Sequence, residues 1–287
     1  MKKVLLPVFI LILLTSCVHH TPFTSEYFYQ ALGESGEIVM TADTEKIKDG
    51  ELDGIVDESL KSNTVVKKST RISASLMPDE NGYVTSGAIE GNISSFTTNA
   101  AMAISSAFTK EKDGSIKWYT DSSISLYSPQ NGVLLFTDGD YPEFYRRSYS
   151  EREMKIDDET ASLMASAALS VYIFEPGSLT ALGFEIPDTV TAEMTQTCLL
   201  INRKDGELKL SGYINTTSDG TARALNTLLR NQIIQEKRRG GEKLDYSSLS
   251  DIFIVDGSSV KITDYTLTGE MKDNAQTLVR EKIGGIL

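Results

Sequence analysis

The sequence predicts an α+β fold made of two tandem copies. Each is a small antiparallel sheet with one helix packed on a face, and a C-terminal helix closes the chain. Three observations lead there. Apolar and polar residues alternate with period two in paired runs around turn residues, the mark of β-hairpins. A helix-spaced apolar stripe follows each hairpin. The order strand, hairpin, helix, two strands then occurs twice along the 287 residues, which suits sheets with helices segregated to one face.

The first copy opens with the strand candidate GEIVMTAD at 36–43. After a charged, irregular connection comes RISASLM at 71–77, where Ile72, Ala74 and Leu76 alternate with polar residues. PDENG makes the turn and YVTSGAIE, 83–90, returns. A helix is expected at about 96–109, with Phe96, Ala100, Ala103, Ile104, Ala107 and Phe108 on one apolar face. Two strands follow, SIKWYTD or SISLYS and then GVLLFTD.

SVYIFEPG at 170–177 opens the second copy. Its hairpin is MTQTCLLIN, 194–202, and ELKLSGYIN, 207–215, around Asp205-Gly206, a dipeptide that accepts the positive φ of tight hairpins. A helix spans about 219–236, its face marked by Leu225, Leu228, Leu229 and Gln232. DIFIVDG and SVKITDYTLTG supply two strands, and MKDNAQTLVREKI the last helix. The returning strands share letters, VTSGAIEGN at 84–92 against KLSGYINTT at 209–217. Residues 27–150 therefore form the first repeat and 151–287 the second. The charge-dense EFYRRSYSEREMKIDDE, 143–159, bridges them as a linker or exposed helix, and the small-residue run 160–170 reads as a short helix against the sheet.

The chain begins Met1-Lys2-Lys3, followed by an apolar run from Val4 to Leu14 broken only by Pro7. About 20 apolar residues are needed to span a bilayer. This shorter run after two positive charges reads as a signal peptide, residues 1–16. Leu14-Thr15-Ser16-Cys17 resembles the lipobox of bacterial lipoproteins. That resemblance implies cleavage before Cys17, a diacylglycerol thioether on its sulfur and an N-acyl chain such as palmitate on its amine. Two or more acyl chains anchor stably, at about 0.8 kcal/mol per buried CH₂. Residues 17–26 would be the lipidated tether. Val18 follows the cysteine where an aspartate often signals inner-membrane retention, so the resemblance points to the outer membrane, with the body facing periplasm or cell surface.

Removing residues 1–16 takes Lys2 and Lys3 and no acid, so the net charge goes from −12 to −14. Such a body does not attract nucleic acid or an anionic membrane surface. With Cys17 lipidated, Cys198 is the sole thiol, so no intramolecular disulfide forms. In its strand-like run it reads as an inert core residue.

Both histidines, His19 and His20, lie in the tether, beside Cys17. The lipidated sulfur is not a thiolate, so this triplet is not read as a metal site, and no cofactor is expected beyond the lipid. Without a histidine in the body, the usual Ser-His-Asp and Cys-His arrangements and the common zinc sites are excluded. Ser258-x-x-Lys261 matches a penicillin-recognising pattern but lies in a turn-to-strand segment. DGELDG at 49–54 starts like a calcium loop but has Glu51 and Leu60 at ligand positions. The densest polar-aromatic cluster is TDGDYPEFYRR, 137–147. It is a candidate interaction surface through Asp138, Asp140, Tyr141, Tyr145, Arg146 and Arg147, since Tyr and Arg favour interface hot spots.

The expectation is therefore a lipid-anchored, non-enzymatic structural or interaction module with an envelope protein partner. A carrier or sensor of a small apolar ligand and a carboxylate-based hydrolase are the alternatives.

Overall fold

The computed structural model describes residues 27–80, 82–175, 186–239, 248–267 and 269–280. The signal peptide, the tether and Cys17 lie outside them. The described strands are β1 (Ile38–Asp43), β2 (Ser69–Asp79), β3 (Gly82–Gly91), β4 (Thr109–Asp113), β5 (Ile116–Thr120), β6 (Ser125–Tyr127), β7 (Val133–Thr137), β8 (Leu169–Phe174), β9 (Met194–Lys204), β10 (Glu207–Thr216), β11 (Phe253–Asp256) and β12 (Ser259–Thr266). They form one 12-stranded sheet in the order β11-β12-β10-β9-β8-β1-β2-β3-β7-β6-β5-β4, antiparallel at every pairing.

Two small-sheet copies were expected, with their joining into one sheet or two domains left open; the structure has one α+β sheet with helices on it. The join is β1 on β8, from Ile38↔Ile173 to Ala42↔Leu169. Physically this follows from their composition. Each would otherwise be an apolar edge with unpaired backbone groups, and pairing them removes both edges. The outermost β4, Thr109-Lys110-Glu111-Lys112-Asp113, is exposed throughout and protects its own edge with charge.

Strands on either side of the join match outward from it. β1 and β8 have six residues, β2 and β9 eleven, β3 and β10 ten. The SerGly shared by the two returning strands has one function in both. A Cβ on Gly87 would lie 2.1 Å from the Ser73 carbonyl oxygen, and on Gly212 2.0 Å from that of Cys198. Gly87 faces Ala74 and Gly212 faces Leu199, so each glycine meets the carbonyl preceding its cross-strand partner.

Both faces of the sheet carry a core. On one, Met40, Ile72, Leu199 and Leu210 join Ile47, Val66, Leu225, Leu229 and Ile233 from helices Thr44–Lys48, Thr64–Lys68 and Asp219–Arg239. The other gathers Phe28, Tyr29, Val39, Leu135, Tyr141, Phe144, Met164, Tyr172 and Cys198. Segment Phe28–Ala31 and helices Tyr141–Tyr145, Arg146–Ser150 (wider, π-type turns) and Asp158–Ser166 contribute to it. The 143–150 part of the expected linker is thus a packed cover. SIKWYTD and SISLYS both supply strands, β5 and β6.

The helix expected at 96–109 runs only over Ser95–Ile104, because Ser105 is extended and β4 starts at Thr109. Its apolar face does not pack on the sheet: Phe96 is 76% exposed and Ile104 87%. It turns Met102, its buried residue, and Asn99 to the body. Asn99 donates to Ser128 O at 2.8 Å and accepts from Ser128 N at 3.1 Å.

Candidate functional site

The alternation that puts Ile72, Ala74 and Leu76 on one face puts Arg71, Ser73, Ser75 and Met77 on the other. Across the register, Ser75 faces Ser86 and Ser86 faces Thr137. All three are buried beneath the helical cover. A buried hydroxyl needs a partner, and each has one: Ser73 donates to Thr41 Oγ1 at 3.1 Å, Ser75 donates to Glu37, and Ser86 pairs with Thr137 at 2.7 Å.

Beside this polar row lies a cavity of about 550 Å³, between β2, β3 and β7 and the helices over 141–150. Ser86 and Thr137 line its floor, Phe144 and Met77 give apolar wall, and Arg147 and Glu143 give charge. Glu37 anchors the arrangement at zero exposure. It accepts from Gly33 N at 2.6 Å, from Glu34 N at 2.8 Å and from the Ser75 hydroxyl. Arg147 completes it at 3.3 Å, and also lies 3.7 Å from Glu34.

Of the six residues expected to form an interaction surface, three line this cavity: Asp140, Arg146 and Arg147. Asp140 caps the helix by accepting from Glu143 N at 2.8 Å, and Arg146 pairs with Asp113 at 2.6 Å. Asp138 instead accepts from Thr85 N at 2.7 Å and fixes a turn. Tyr141 is 1% exposed, a core residue whose phenol burial holds well above its ordinary range. Tyr145 is half-buried in an aromatic ladder, 6.1 Å from Tyr141 and 5.1 Å from Tyr149. The ladder continues to Trp118 at one end and Phe28 at the other.

Chemically the cavity suits polar recognition. Ser86 bonds a hydroxyl rather than a base, so it is not activated as a nucleophile. Cys198 is fully buried, with burial pushing its thiol up to about 12. Metal-ligating clusters of three or more His, Cys, Asp or Glu are absent among the described residues.

A second charged centre sits on the same face. Arg71 and Glu90 are cross-strand partners. Arg71 lies 5.0 Å over the Tyr27 ring and 5.7 Å over Tyr29, and Arg152 lies 5.1 Å over Phe28. Sequence reasoning missed Glu37, Arg71 and Glu90 because charged residues at alternating positions read as solvent-facing.

Fold and site together define an α+β protein with a single broad antiparallel sheet and a polar, helix-covered cavity on one face. No family model matches the chain, and no curated protein does. Among solved structures it is similar to crystal form I of TP0453, with TM-score 0.56 and 12% identity over 89% of this chain and 98% of that one. Crystal form III of TP0453 gives TM-score 0.57 and 10% identity over 90% and 99%. At such identity the likeness shows a shared fold, and it extends over nearly the whole of both chains.

Proposed function

We propose that the chain is a bacterial envelope lipoprotein, anchored through acyl chains on Cys17, whose body is a non-enzymatic interaction module that arose by duplication. Equal strand lengths outward from the β1–β8 join and the paired close-approach glycines support the duplication. The lipobox at 14–17 supports the anchor, and Val18 favours the outer membrane. No helix among the described residues is long and apolar enough to cross a membrane.

One observation carries the interaction role: the helix Ser95–Ile104 presents Phe96 and Ile104 to solvent and is held to the body by hydrogen bonds. Burying an apolar side chain of that size is worth about 1.5–3 kcal/mol. A partner protein that covers both gains about 3–6 kcal/mol from apolar burial, before the cost of association. An apolar-ligand carrier is less favoured, because Glu34, Asp140, Glu143, Arg146, Arg147 and Glu151 line the cavity beside its apolar Met77 and Phe144. A hydrolase would have to draw on Asp140, Glu143 and Glu151 in that cavity.

Two variants test the reading in intact cells. Cys17→Ala should lose lipid labelling and leave the membrane fraction. Phe96→Ser/Ile104→Ser should stay anchored and folded but lose its crosslinked protein. A Cys17→Ala protein that remains membrane-bound beside an unlabelled wild type would sink the anchor. An unchanged crosslinking pattern in the double variant would sink the interaction surface.

A further inference from the structure

Glu90 is 3% exposed, and its Oε1 has no hydrogen-bond partner. A carboxylate so placed is costly in its charged form. It sits where three elements meet. Arg71 faces it across the β2–β3 ladder, Arg152 approaches from the segment after the helical cover, and Phe28 N donates to it from the N-terminal segment. The same arginines hold that segment: Arg152 Nη2 donates to Tyr27 O at 2.5 Å, and Arg71 stacks over Tyr27 and Tyr29. Tyr29, the other titratable group facing Glu90, donates its hydroxyl to Ala161 O at 2.7 Å. Burial keeps that phenol protonated well above its ordinary range.

The second half of the sheet supplies an internal comparison. Counting three residues on from Gly87 gives Glu90, paired with Arg71; three on from Gly212 gives Asn215, paired with Gln196. Asn215 Nδ2 donates to Gln196 Oε1 at 3.1 Å, and both residues are half-buried. The titratable pair thus stands in the half where the N-terminal segment docks, and a neutral amide pair in the other.

We propose that Glu90, with Arg71 and Arg152, is a protonation-operated latch that holds Tyr27–Leu32 on the sheet in acid and loosens it towards neutrality. Burial outweighs the two arginines and moves the Glu90 carboxyl from 4.5 to about 7. Undocking the segment would return it to water and its ordinary value. The docked state is then fully favoured below about pH 4.5. It weakens as pH rises to about 7, by a factor on the order of 300. If Cys17 is the lipid anchor, this sets how much chain separates body and membrane; the latch itself does not depend on the anchor.

Backbone hydrogen exchange on the full chain, corrected for intrinsic rates, tests it at pH 4.5 to 7.5. The amides of Gln30 and Leu32, bonded to Tyr27 O and Tyr29 O, should lose protection by two orders of magnitude or more with rising pH, while β9 amides hold theirs. Glu90→Gln should flatten the profile, and Arg71→Met should move its upper end to higher pH. A flat wild-type profile overturns the latch even if Glu90→Gln does not fold, and so does a slope that survives Glu90→Gln.

Discussion

Arg147→Met is the sharpest test of the packing around the cavity. Glu37 is wholly buried and Arg147 about one-fifth exposed, with both guanidinium nitrogens in reach of the carboxylate. Removing one partner of a buried pair costs about 3–5 kcal/mol, because the other charge stays buried without compensation. Here Glu37 keeps three donors, Gly33 N, Glu34 N and Ser75, and water reaches Arg147. The lower end, about 3 kcal/mol, is therefore expected. For a chain of this size that is roughly 6–12 °C in Tm, readable by circular dichroism at neutral pH and low salt. Adding Glu37→Gln removes the stranded charge. The double variant should therefore be more stable than the sum of the single losses by at least about 1 kcal/mol. A loss under 2 °C, or strict additivity, would refute the view that this pair fixes the helical cover to the sheet.

The glycine pair gives a second prediction. Gly87→Ala and Gly212→Ala each push a Cβ against a backbone carbonyl that cannot rotate away. Each should cost about 2 kcal/mol or more in urea unfolding, whereas Gly206→Ala, with open space around it, should cost less through its positive φ alone. Cys198 gives a third: measured in Cys17→Ala protein at pH 8, it should react with a disulfide reagent at least about tenfold more slowly folded than unfolded, since it is fully buried and burial pushes its thiol up to about 12. Reaction at the unfolded rate would mean that the second face of the sheet is open.

The hairpins, both long strand pairs and the 219–239 helix were legible because period and turn chemistry are local. Asp205-Gly206 has φ of +54° and +82°, as the turn required. Leu225 and Leu229 are buried, as the stripe required. What local pattern could not carry was the second covered face. Ser73 and Ser75 alternate with Ile72 and Leu76 as solvated positions would, yet they are buried and bonded. The stripe of Phe96 and Ile104 failed for the reverse reason: helical spacing says that residues share a face, not that the sheet lies beneath it. In the candidate surface at 138–147, three of the six residues named from sequence, Asp140, Arg146 and Arg147, line the cavity. The sequence could not separate Tyr141, which packs inward, from Arg147, which reaches Glu37.

The two halves of the sheet carry the same frame, so their chemistry differs where cover differs. At matched inward positions, Ser73 and Ser75 on β2 stand against Cys198 and Leu200 on β9. The helix after β3 has 10 residues and leaves its apolar face in water, while the one after β10 has 21 and buries Leu225 and Leu229. The first half also adds β4, β5 and β6 beyond β7. Buried hydroxyls, a wholly buried Glu37 and an unpartnered Glu90 oxygen are poor choices for stability alone, since apolar residues of like volume pack there at no desolvation cost. Hydroxyls are buried in the other half too, at Ser170 and Thr197, but among the described residues the buried carboxylates, Glu37 and Glu90, both stand in the first half, beside the segment that enters it at Tyr27.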